Sequence, residues 1–149
     1  MLSDLLDEGL IRLGVEASDW EDAVRKAAQP LVDLEMVTEG YVDDIVRGVN
    51  VLGPYIVIAP HVALPHARPE SGALRPALGV VTLASPVSFG SAENDPVKFL
   101  FPLSATDNDG HLGALQALVE MLRVPGFLTR LEKAGSAAEV MTIVCEAEG

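Results

Sequence analysis

Hydrophobic residues along this chain recur with two different periods, and the alternation between them predicts a layered fold. "SDWEDAVRKAA" sets apolar residues at helical spacing behind Ser18 and Glu21, a capping box that marks a helix start. Pro30 is expected to end or kink that helix, because proline lacks the N–H and crowds the preceding turn. A second helix is expected over roughly Tyr41 to Val49, and a short one, capped by Ser3, at "SDLLDEG". "IRLGV" reads as a short strand. "PYIVIAP" reads as a mostly buried strand closed by Pro60, and "VAL" as another piece closed by Pro65. Longer strands are expected from about Ala77 to Ala84 and from Val97 to Leu103. Within them "LGVVTLA" and "VKFLFPL" are almost unbroken apolar runs, the pattern of a sheet covered on both faces.

Three helices follow. "DGHLGALQALVEMLR" is the clearest, "PGFLTRLEKAG" opens at Pro125 and closes at Gly135, and "SAAEVMTIVCEAE" begins with Ser136 and Glu139 as a second capping box. No linker, repeat or low-complexity segment interrupts the pattern. The expectation is one α/β domain over residues 1–149, with three layers, α/β/α, and a central sheet between two layers of helix.

Composition sharpens this in a few places. Hydrophobic residues make up 49% of the chain and aromatics only 5%, so the core rests on Leu, Val, Ile and Ala. The formal net charge is −12, from 22 acidic against 10 basic residues. Such a surface repels phosphate backbones and anionic lipid, which argues against nucleic-acid or membrane-surface binding; it suits a partner with a basic patch and equally suits solubility alone. Cys145 is the only cysteine, so neither an intrachain disulfide nor a CxxC metal site is expected. Its helical, apolar setting fits a packed or half-exposed thiol. "MLSDLLDEGL" lacks the basic and apolar regions of a signal peptide, and no apolar run approaches ~20 residues, so a cytoplasmic protein is expected.

Candidate chemistry lies with three histidines. In "IVIAPHVALPHARPE", His66 follows Pro65 where a strand stops, a place where α/β sheets present functional groups. Neutral imidazole is a nucleophile available near neutrality, its ordinary pKa being ~6.5. The same residues also fit a stiff turn. At about 100° per residue His111 shares a helical stripe with Leu115, Leu118 and Leu122, which points it inward from the first turn. A helix start offers free N–H groups and partial positive charge to a phosphate; a packed core histidine is the alternative. Asp107 and Asp109 are candidate caps for that helix, and their charge opposes an anion there. His61, just after Pro60, is expected in a solvent-facing turn. No metal site is expected, since no HExxH or cysteine pair is present. GxxxxGK[ST], GxGxxG and GxSxG are also missing, which leaves nucleotide cofactors and a serine hydrolase elbow without support.

Taken together, "GPYIVIAPHVALPHARPESG" and "FGSAENDPVKFLFPLSATDNDGHLGALQALVEML" resemble the enzyme IIA domains of the bacterial phosphoenolpyruvate-dependent sugar phosphotransferase system. The resemblance is to the mannitol/fructose class, nearest its ascorbate-type subgroup, and it covers nearly the whole chain. It implies a mixed sheet flanked by helices and a phosphoryl carrier that needs no cofactor. In such domains the histidine of the A-[LIVM]-P-H motif, here Ala63-Leu64-Pro65-His66, takes the phosphoryl group from HPr. It passes that group to a cysteine on enzyme IIB for sugar import through the membrane component IIC. The resemblance makes His111 the second active-site imidazole, bonding the phosphoryl group without accepting it. A shallow, apolar surface around His66 with an acidic rim is expected for docking.

One departure stands out. Many mannitol- and fructose-type relatives carry an Arg-Glu pair sixteen and fifteen residues before the phosphorylated histidine, where this chain has Asn50 and Val51. Arg68 is the candidate replacement cation, ahead of Arg47, and it reads equally as an exposed turn residue. The change favours an ascorbate-type cargo. A regulatory or binding domain on the same fold, of the nitrogen-regulatory kind, is the alternative function; oligomeric state, a homodimer included, stays open.

Overall fold

The computed structural model describes residues 1–149. Along the chain its strands are β1 (Ile11–Val15), β2 (Val57–Ala59), β3 (Val62–Ala63), β4 (Ala77–Leu78), β5 (Val80–Val87), β6 (Val97–Leu100) and β7 (Leu103–Ser104). Its helices are α1 (Trp20–Asp33), α2 (Glu39–Leu52), α3 (Asn108–Leu122), α4 (Phe127–Lys133) and α5 (Ala137–Glu148). Five strands form one mixed sheet in the order β1-β5-β6-β3-β2, parallel at β1/β5 and β3/β6 and antiparallel at β5/β6 and β2/β3. β4 and β7 form a separate antiparallel ribbon.

The near-continuous apolar strands are covered on both faces, as their pattern predicts. Because side chains alternate along a strand, Val81 and Leu83 meet the buried faces of α1 and α2, among them Ala27, Leu31, Tyr41 and Ile45. Val80 and Phe99 instead join Leu118, Leu131, Val140 and Ile143 from α3, α4 and α5. The result is the expected three-layer α/β/α arrangement. No helix is long and apolar enough to cross a membrane.

The structure departs from the sequence reading at element ends. Each long predicted strand is broken in two, at Gly79 and at Phe101-Pro102. Gly79 donates its N–H to the Pro102 carbonyl at 2.8 Å. A Cβ at Gly79 would lie 2.8 Å from Pro102 Cγ and 3.0 Å from the Leu10 carbonyl oxygen, so only glycine allows this close crossing. The α1 cap is Asp19, not Ser18: Asp19 accepts from the Asp22 N–H at 2.8 Å while Asp22 accepts from the Ser18 N–H at 3.0 Å. Pro30 does not end α1, which continues to Asp33 on the packed face of Ala27, Ala28 and Leu31. Ser3 caps nothing. The first turn is a 3-10 helix, Leu2–Leu5, and the Leu2 and Ser3 N–H groups donate to the Glu148 carboxylate at 2.7 and 2.8 Å.

Candidate functional site

β3 carries the chain toward the site and is stitched down on both sides of its end. The Leu64 N–H donates to Ile56 at 2.7 Å, and the Pro65 carbonyl accepts from the Leu103 N–H at 3.0 Å. His66 follows, half-buried. Its Nδ1 lies 2.6 Å from the Leu64 carbonyl oxygen. A carbonyl only accepts, so Nδ1 carries the proton and Nε2 keeps its lone pair. Tyr55 closes one side, its ring edge-on to the imidazole at 5.5 Å and 79°, and its hydroxyl donates to the His66 carbonyl at 2.8 Å. Gly48 on α2 makes room for that phenol: a Cβ there would stand 3.1 Å from Tyr55 Cε1.

The structure brings His111 to His66. Their ring centroids are 5.1 Å apart with an interplanar angle of 48°. The second ring comes from the first turn of α3, which Asp107 caps by accepting the Gly110 N–H at 2.6 Å. That contact uses one of the donors a phosphate would otherwise find there, and it leaves the His111 ring as the nearer source of stabilisation. The buried stripe of α3 is Ala114, Leu118 and Met121, with Leu115 and Leu122 half-buried, so His111 sits at the margin of the stripe and not at its centre. Burial pushes the His66 pKa below its ordinary value; the hydrogen bond to Leu64 acts against this, and the positive charge His111 would carry acts with it. His66 is therefore a neutral imidazole at physiological pH.

The other sequence candidates separate cleanly. His61 is exposed in the β2–β3 turn with φ 67°, and its Nδ1 donates to the Pro96 carbonyl at 2.7 Å. Arg68 is exposed and opens the 3-10 turn Pro69–Ser71. It lines a shallow depression of about 370 Å³ beside the His66 loop, with Arg47, Val51, Leu52, Tyr55 and Ser71. Arg47 is paired with Asp44, whereas Arg68 has no carboxylate partner. Asn50 and Val51 lie exposed near the end of α2. Cys145 is exposed on α5. The structure gathers no three His, Cys, Asp or Glu side chains around one point. Tyr41 and Tyr55 were missed by sequence reasoning; in a chain with only 2 tyrosines, both hydroxyls bond the backbone beside His66.

The chain is similar to known proteins over almost its full length. The family model described as "Phosphoenolpyruvate-dependent sugar phosphotransferase system, EIIA 2" matches residues 4–147. The mannitol-specific cryptic phosphotransferase enzyme IIA component of Escherichia coli is 38% identical over 143 residues, 96% of this chain and 97% of that protein. A solution structure of an E. coli enzyme IIA of that description superposes with a TM-score of 0.86 at 37% identity, covering 97% of this chain and 98% of that one. The ascorbate-specific PTS system EIIA component of Salmonella typhimurium is 36% identical over 142 residues, 94% of this chain and 92% of that protein. At fold level, the E. coli complex of enzyme IIAMTL with phosphorylated enzyme IIBMTL matches with a TM-score of 0.83 at 24% identity, covering 95% of this chain and 97% of that one.

Proposed function

The chain belongs to the EIIA 2 family of the phosphoenolpyruvate-dependent sugar phosphotransferase system, whose members are phosphotransferase components, and we propose that it acts there as a phosphoryl carrier. His66 accepts the group from phospho-HPr and delivers it to a cysteine on enzyme IIB, with residues 1–149 working as one cytoplasmic IIA domain beside the membrane component IIC. The observation that carries this reading is the pair of imidazoles 5.1 Å apart, one of them held with a free Nε2.

The chemistry follows from that tautomer. The Nε2 lone pair attacks the phosphorus of the donor's phosphohistidine, the donor's N–P bond breaks, and the donor imidazole leaves with that electron pair. The proton stays on Nδ1, donated to the Leu64 carbonyl, throughout. The phosphorylated ring is therefore protonated, and its departure in the second step regenerates neutral imidazole. In that step the IIB thiolate attacks phosphorus and the pair returns to Nε2. Transfer of this kind depends on positioning and charge stabilisation. His111 serves the equatorial oxygens, and Arg68, free of any carboxylate partner, supplies the cation that Asn50 does not. Exposed Val51 and Leu52, each 75% accessible, with Tyr55 and Leu112 beside the two histidines, give the apolar docking surface such transfer needs. In the E. coli complex a IIA chain of this fold is bound to phosphorylated enzyme IIB, which supports IIB as the partner here. The departure at Asn50 and Val51, with the ascorbate-specific relative, supports an ascorbate-type system as the cargo route.

The test is onward transfer. With phosphoenolpyruvate, enzyme I and HPr, the protein should form an acid-labile, base-stable phosphohistidine and pass it to an ascorbate-type IIB. A stable partner complex that ignores His66→Ala, with no onward transfer, would replace the carrier by a regulatory binding module.

A further inference from the structure

The two histidines come from segments far apart in the chain, so something must hold their carriers in register. Leu103 of β7 is where the segments meet. Its N–H donates to the Pro65 carbonyl at 3.0 Å, just before His66. Its carbonyl accepts from the Tyr41 hydroxyl at 2.7 Å, and that hydroxyl accepts from the Ala67 N–H at 3.1 Å, just after His66. The Ala67 carbonyl lies farther off, at 3.3 Å, so the single hydroxyl proton belongs to Leu103. Leu103 thus grips the peptide on both sides of His66, directly on one side and through one phenol on the other. From Leu103 the chain runs through Ala105 and Thr106 to Asp107, the cap of the helix that bears His111.

We propose that Tyr41 is a positioning residue for phosphoryl transfer, its buried hydroxyl clamping the His66 loop to the strand that leads into the His111 helix. Tyr41 touches neither imidazole and is 1% exposed on α2. Burial pushes its pKa up to about 12, so the donor proton is retained at every working pH. The clamp answers a geometric demand. A displacement of about 1 Å between attacking atom and stabilising group can cost roughly 10²-fold in rate. Around Ala67 itself the loop has otherwise only the exposed Tyr55 bond at the His66 carbonyl and the 3-10 turn Pro69–Ser71; its next anchors, the Thr38 N–H on the Gly72 carbonyl at 2.9 Å and the Val37–Ala73 bridge, lie five and six residues on.

This inference rests on the carrier reading, and the experiment separates the two. Tyr41→Phe keeps the ring and removes only the hydroxyl. For transfer from phospho-HPr, kcat should fall about tenfold with KM nearly unchanged, as expected for lost positioning with docking intact. Val46→Ala is the control, removing core packing from the same helix at a site 6% exposed. It should lower Tm and leave kcat alone when both proteins are assayed well below their midpoints. A parent that never labels defeats the carrier reading. A parent that labels, with Tyr41→Phe matching its kcat or losing no more than Val46→Ala, defeats the clamp. If Tyr41→Phe does not fold, amide exchange in the unmodified protein decides: Ala67 should be protected like Leu103, and rapid Ala67 exchange overturns the clamp.

Discussion

His61 and His66 stand at opposite ends of one two-residue strand, yet only one of them sits in surroundings suited to chemistry. Both commit Nδ1 to a backbone carbonyl, Pro96 at 2.7 Å and Leu64 at 2.6 Å. A fixed tautomer is therefore common to both and cannot be what sets them apart. His61 is exposed in a left-handed turn, where its N–H donates to Asn94 and its carbonyl accepts from Lys98 and Phe99. It is a turn residue with a solvated ring. His66 is half-buried, flanked by Tyr55 and 5.1 Å from a second imidazole. On the carrier proposal, His66 would owe its reactivity to partial exclusion of water and to a neighbour able to meet developing charge, more than to the residue type or its hydrogen bond.

The comparison breaks most sharply under substitution. His66→Gln should abolish labelling from phosphoenolpyruvate, enzyme I and HPr, because it removes the half-buried imidazole whose Nδ1 is held by Leu64 beside His111. His61→Gln should label at the parent's rate. Its cost is confined to the lost Pro96 contact, about 0.5–1.5 kcal/mol for an ordinary hydrogen bond, seen as a small drop in Tm. Phosphopeptide mapping that finds the group on His61 would reverse the assignment.

Smaller effects should grade the neighbours of His66. Removing one preorganised charge-stabilising donor costs about 10²–10³ in rate in well-studied sites, so His111→Ala should slow transfer by that order and still permit slow labelling. Arg68→Gln should cost roughly tenfold, the scale of one hydrogen bond to a charged group. Single-turnover rates from phospho-HPr measure both. If Arg47→Gln proves the more damaging, the cation must be reassigned despite the Asp44 partner of Arg47.

Much of this contrast was written locally in the chain. The Pro65-His66 sequence at a strand end and His111 in the first turn of its helix are short-range signals, as are the apolar runs that build the covered sheet. What escaped was set by distant partners. Gly79 breaks a run that looks like one strand because its N–H bonds the Pro102 carbonyl at 2.8 Å, a contact between residues far apart in sequence. Asp19 displaces Ser18 as the α1 cap because both side chains cap almost equally well and local propensity cannot choose. The tyrosine hydroxyls bond backbone eleven and twenty-six residues away, at His66 and Ala67, and no periodicity reports such pairings.

The finest test of the comparison is acid. Burial holds the His66 pKa below the ordinary ~6.5, so two-dimensional NMR should show its ring staying neutral under conditions where a free histidine takes a proton. The stability consequence has a definite sign. Above about pH 6.5 folded and unfolded His66 are both neutral, and the group contributes nothing to pH dependence. As pH falls from there to the lower folded value, the unfolded chain binds a proton that the folded one refuses, and stability drains away. His66→Gln removes this linkage, so its Tm should fall less than the parent's between about pH 8 and 5.5. Carboxylates titrating in the same range affect both proteins and cancel in the difference. Parallel Tm profiles would mean that the pocket does not desolvate His66, and the distinction from His61 would then rest on His111 alone.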